Sequence, residues 1–190
     1  MRLQLSLFFT IGALSFTNLL AQSSNDIVVT VEGLGADTVF LANYYGSRLY
    51  YSDTTVADIN GHFVFEGRPF DECGKYAVVL PGPVFFDMML VSEPMEFRTT
   101  MKNPQGDMQI IKSEENKVFY DYLNFLNTKR EEHTPHDAVL NDSTASSLQV
   151  EIARNAMTVM NSEVLEYQDA LIDDPRDYLF GKYLGMLREP

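Results

Sequence analysis

The chain has 190 residues, with 27 acids against 14 Lys and Arg and a net charge of −13. Hydrophobic residues make up 45% and charged residues 22%, which is globular composition and excludes a disordered tail, a collagen-like fibre and a multi-pass membrane protein. An acidic chain lacks the basic face that nucleic acids need, and a single cysteine excludes an internal disulfide framework.

Residues 1–21 read as a secretory signal peptide. Arg2 gives the positive start, residues 3–20 are largely apolar without an acid, and Ala21 offers a small residue before Gln22. Gln4, Ser6, Thr10, Ser15, Thr17 and Asn18 dilute the stretch below what a membrane anchor needs. Cleavage removes Arg2 and no acid, so the charge moves from −13 to −14. The expected destination is oxidising, periplasmic or secreted, with no membrane span left after cleavage.

From Asp26 to about Ile111 the chain alternates with period two. Ile27, Val29 and Val31 share one face, followed by Val39 with Leu41, Phe63 with Phe65, and Tyr76 with Val78 and Leu80. Phe86, Met88 and Leu90 come next, then Met95, Phe97 and Thr99, then Met108 and Ile110. This spacing predicts seven or eight short strands. Asn60-Gly61, between residues 54–59 and 62–66, predicts a hairpin, since both residues tolerate positive φ. From Ser113 the period becomes helical. Ser113 is the expected N-cap, with Glu114 and Glu115 in the first turn. Phe119, Tyr122, Leu123 and Leu126 form the stripe, and Lys129-Arg130 mark the expected end. A second helix is expected over residues 144–172. Asp174-Pro175 opens a third, with Asp as cap and Pro at the first helical position. The fold class is therefore α+β: an antiparallel β sandwich of seven to eight short strands followed by about three helices. The division is signal peptide 1–21, β domain 22–112 and helical segment 113–190.

Three groups of residues could carry chemistry. Cys73 is a reactive-thiol candidate, but Asp71 and Glu72 beside it would lower its thiolate fraction. Residues 131–137 hold His133, His136 and three carboxylates, ligand types that zinc takes. Pro135 argues instead for a solvated loop between helices, so the two histidines are weak metal candidates and no cofactor is expected. Tyr44, Tyr45, Arg48, Tyr50 and Tyr51 surround a turn, where exposed rings could stack on a sugar or meet a protein. No Cys-x-x-Cys, Gly-x-Ser-x-Gly, phosphate loop, Gly-x-Gly-x-x-Gly or His-Glu-x-x-His is present, so no catalytic residue is assigned.

Four features carry a resemblance. Residues 27–31 lead to Gly33 and then to 37–41. Asp53-Thr54-Thr55 runs on to Gly61-His62-Phe63-Val64-Phe65-Glu66-Gly67. Gly74-Lys75-Tyr76 opens a strand, and Ser113-Glu114-Glu115-Asn116 precedes an aromatic helix. With the ending 174–190, this resembles the N-terminal region of periplasmic thiol:disulfide interchange (thioredoxin-like) proteins of Gram-negative gut and oral bacteria. There, a small β domain and a helical segment precede a redox domain. The resemblance implies a non-catalytic accessory region that positions a redox domain, forms a homodimer or recognises a protein partner. It carries over no redox residue, and Cys73 does not match the redox motif. The alternative is a free-standing envelope module that binds a ligand or protein through its tyrosine-rich hairpin.

Overall fold

The computed structural model describes residues 26–46, 48–67, 73–82 and 84–188. The expected signal peptide lies outside them. Eight strands form: β1 Ile27–Glu32, β2 Thr38–Tyr45, β3 Arg48–Val56, β4 His62–Phe65, β5 Gly74–Leu80, β6 Val84–Leu90, β7 Met95–Thr100 and β8 Gln109–Lys112. They build two four-stranded sheets, ordered β4-β1-β7-β8 and β3-β2-β5-β6. The α+β class and the sandwich follow from this arrangement, because the alternating residues of both sheets meet in one core. Val29, Val31, Leu41, Val78, Phe86 and Phe97 are among its buried members. Stripping such side chains of water is the main favourable term in folding, about 25 cal/mol per Å² of apolar surface.

The antiparallel expectation holds for every strand pair but one: β1 and β7 do not follow it and run parallel. The chain passes through the other sheet, along β5 and β6, before β7 returns beside β1. Such a crossover is what a parallel pair requires. Nor does Asn60-Gly61 close a hairpin within one sheet, because β3 and β4 lie in different sheets. The turn is held by Asp58, whose Oδ1 accepts the N–H groups of Asn60 and His62. It sends the chain from one layer to the other. Gly61 sits at φ +74, and a Cβ there would lie 2.1 Å from the Val31 carbonyl oxygen. Only glycine fits both the backbone angle and that approach.

Three helices follow: α1 Glu114–Leu140, α2 Ser147–Ile172 and α3 Leu179–Arg188. Ser113 caps α1 as expected, its Oγ accepting the Asn116 N–H. However, α1 does not stop at Arg130. It runs through Pro135, so residues 131–137 are helix and not loop. Proline removes one backbone donor. Side chains offset that loss locally, with His133 bonded to Asp137 at 2.8 Å and Lys129 paired to Glu132 and to Glu163 on α2. The third helix starts at Leu179, not at Pro175. Asp174 instead turns back on the Arg176 N–H, and Asp177 takes φ 58 before the helix begins.

The helices pack against each other and on the outer face of the β3-β2-β5-β6 sheet. Met89, pointing away from the sandwich core, is buried with Phe119, Tyr120, Tyr122, Phe180 and Leu184. Gly181 lets α3 close on α2, since a Cβ there would lie 2.3 Å from the Leu171 carbonyl oxygen. Among the described residues, no helix is long and apolar enough to cross a membrane.

Candidate functional site

The β2–β3 hairpin and the sheet face behind it bring together most of the residues singled out by sequence. The pair Tyr45 and Arg48 closes the hairpin, and Tyr44–Leu49, Asn43–Tyr50 and Ala42–Tyr51 follow in register. Strand alternation then divides the tyrosines. Tyr44 and Tyr51 point to the outer face, with Tyr45 and Tyr50 on the other side. None of the four enters the sandwich core. Tyr45 and Tyr51 are 77% and 64% exposed, and Arg48 and Tyr50 are exposed as well. Tyr45 and Tyr50 meet edge to face, 6.2 Å between centroids.

Tyr44 has a separate role. Its ring crosses β5, and its hydroxyl donates to Asp87 Oδ1 on β6 at 2.5 Å. The residues beneath that path, Ala42 and Ala77, are small and fully buried. Lys75 pairs with the other Asp87 oxygen at 2.9 Å and sits over the Tyr44 ring. Burial pushes the Tyr44 phenol above its ordinary value, and the Asp87 carboxylate adds to the shift. The cluster is mutually satisfied, so it anchors the hairpin rather than offering a reactive group.

Next to this anchor the outer face is open. Phe40 stacks on Tyr51 with centroids 4.6 Å apart. Register places Val79 and then Phe85 beside Phe40, and Phe85 is 48% exposed. Phe40, Tyr51, Val79 and Phe85 thus form one aromatic and aliphatic surface, while α1 and α3 cover only the Met89 end of the same sheet. Sequence reasoning missed Phe40, Val79 and Phe85. Their alternation with the core residues on either side carried the only signal.

The other candidates stand apart from this face. Cys73 is exposed, just before β5, and the acids preceding it lie outside the described residues. His133 and His136 lie on α1, away from the hairpin, and His133 is engaged with Asp137. Among the described residues, no three His, Cys, Asp or Glu side chains are grouped to hold a metal ion. A shallow cleft of about 570 Å³ lies at the turn linking β1 to β2, lined by Glu32, Leu34, Ile59, Asn60 and Arg98.

The fold and this surface define a class: a two-sheet β sandwich with a helical cap on half of one outer face. No protein-family model matches the chain, and no curated protein matches it significantly.

Proposed function

We propose that this chain is a non-catalytic docking module of the cell envelope, the accessory region of a thiol–disulfide interchange protein. Its partner is a protein, a redox domain of thioredoxin type, held against the open aromatic face. One observation carries the reading: the helices cover the Met89 end of the sheet and leave Tyr51 and Phe85 exposed, with Phe40 and Val79 half-buried between them. Contiguous exposed apolar surface of this kind marks an interaction site, and its aromatic residues favour a protein partner. The choice of a redox partner rests on the sequence resemblance. The anchor between Tyr44, Lys75 and Asp87 holds the surface rigid, which lowers the entropy lost on docking.

Insulin reduction by the purified chain tests the non-catalytic part. Turnover no faster than the dithiothreitol background is expected. Thiol-dependent turnover lost in Cys73→Ser would overturn the reading and make Cys73 a redox residue.

A further inference from the structure

The two edges of the β3-β2-β5-β6 sheet are treated differently. On β6 the outward-facing backbone of Asp87 and Met89 is occupied by side chains. Asn116 accepts the Met89 N–H through Oδ1 and donates Nδ2–H to the Met89 carbonyl, both at 2.8 Å. Tyr120 donates to the Asp87 carbonyl at 2.8 Å, and Gln105 accepts the Asp87 N–H at 3.2 Å. Along Asp87 to Met89 that edge is closed to another strand.

The β3 edge has no such cover. In an antiparallel ladder the two residues closing a two-residue hairpin exchange both bonds, and the pattern alternates from there. Arg48 and Tyr50 therefore bond β2, while the N–H and C=O of Leu49 and Tyr51 face outward. Among the described residues, nothing pairs with those four groups. The strand is nine residues long, exposed and free of proline, whereas the edge strands of the other sheet, β4 and β8, have four residues each. A long uncapped edge is a template for strand addition.

We propose that two copies of this chain pair through β3, antiparallel, about a twofold axis at Tyr50. The segment is self-complementary in that register. Leu49 of each copy lies opposite Tyr51 of the other, so the four outward groups on each copy are satisfied by four backbone bonds across the axis. Leu49 and Tyr51 share the outer face, and each forms a cross-strand apolar pair with its counterpart. Arg48 comes opposite Ser52 and next to the acid Asp53 of the second copy, twice by symmetry. The bulge at Ser52 ends the pairing and sets its length. The result is a continuous eight-stranded sheet in which the two aromatic faces lie side by side. This inference does not depend on a redox partner, and either can fail alone.

The test uses the full chain in which Cys73→Ser is combined with Tyr50→Cys. Residues facing each other as a non-hydrogen-bonded pair have Cα atoms about 4.5 Å apart, within disulfide range. Mild oxidation should convert most of the protein to a linked dimer. Wild type should sediment at twice the chain mass at high protein concentration and physiological salt. Tyr51→Pro removes an outward N–H but no bond to β2, so it should give a folded monomer by circular dichroism and sedimentation. Should that variant not fold, Tyr50→Lys, which sets two ammonium groups face to face on an exposed position, should give the monomer. A monomeric wild type, no cross-link at position 50, or a dimer that survives these substitutions would each overturn the proposal.

Discussion

The carboxylate of Glu115, in the first turn of α1, accepts the backbone N–H of Phe180 at 2.6 Å and of Leu179 at 3.0 Å. A residue 65 positions away thus caps the start of α3, where the chain itself supplies no side-chain cap. The same turn holds Ser113, whose hydroxyl donates to Glu93. The loop before β7, the start of α1 and the start of α3 are therefore joined at one polar knot. Glu115→Ala should leave two N–H groups orphaned at a buried helix end and cost about 2–4 kcal/mol. Urea unfolding measures it, and faster amide exchange at Phe180 should accompany it. An unchanged unfolding midpoint would contradict this role.

The same carboxyl makes stability depend on pH. Burial raises the Glu115 pKa above its ordinary 4.5, the bonds from Phe180 and Leu179 oppose that shift, and nearby Glu93 adds to it. A raised value means that the native state holds the proton more tightly than the unfolded chain. The group's contribution is then fully present below 4.5 and is lost as pH rises through the folded value. Glu115→Gln cannot titrate. The stability advantage of wild type over this variant should shrink as pH rises from below 4.5. A difference that grows with pH would reverse the sign and refute the assignment.

Asn116 is fully buried, and both ends of its amide bond the Met89 backbone. Asn116→Ala should cost about 2–4 kcal/mol, because it strands a donor and an acceptor on the β6 edge. Asn116→Asp, nearly isosteric, should cost at least as much, since it sets a carboxylate oxygen against the Met89 carbonyl. Thermal melts of the two variants check this. A well-tolerated Asp would mean that shape, not the amide's donor–acceptor pair, matters here.

The anchor and the proposed docking surface should separate by mutation. Tyr44→Phe keeps the ring under Lys75 but loses the bond to Asp87, and should cost about 1 kcal/mol. Tyr51→Ser removes only an exposed ring stacked on Phe40, and should cost less than about 1 kcal/mol. It should nevertheless weaken partner binding more than Tyr44→Phe does. Calorimetric melting together with a binding titration would expose the opposite ranking.

The sandwich was legible because one face of nearly every strand is buried, so alternation alone located Val29, Leu41, Val78, Phe86 and Phe97. What escaped was relational. Nothing near Asn60-Gly61 says that the strands on either side join different sheets, and the parallel pairing of β1 with β7 arises between segments far apart in sequence. The start of α3 was misplaced at Pro175 because its cap comes from Glu115, and the end of α1 was misplaced because the helix continues through Pro135, flanked by the pairs of Lys129 with Glu163 and His133 with Asp137. In the candidate site, the tyrosines were visible as a cluster. Their division into an anchor (Tyr44) and a surface (Tyr51 with Phe40 and Phe85) depends on Asp87, which composition does not link to β2.

Photo-cross-linking from position 85 tests the docking claim most directly. Phe85 lies on the open face and away from the β3 edge, so a benzophenone amino acid there reports on the docked partner. The adduct formed in the cell envelope should be, by mass spectrometry, a Cys-x-x-Cys redox domain, and Tyr51→Ser should abolish it. No adduct, or an adduct with a protein lacking a redox domain, would contradict the account.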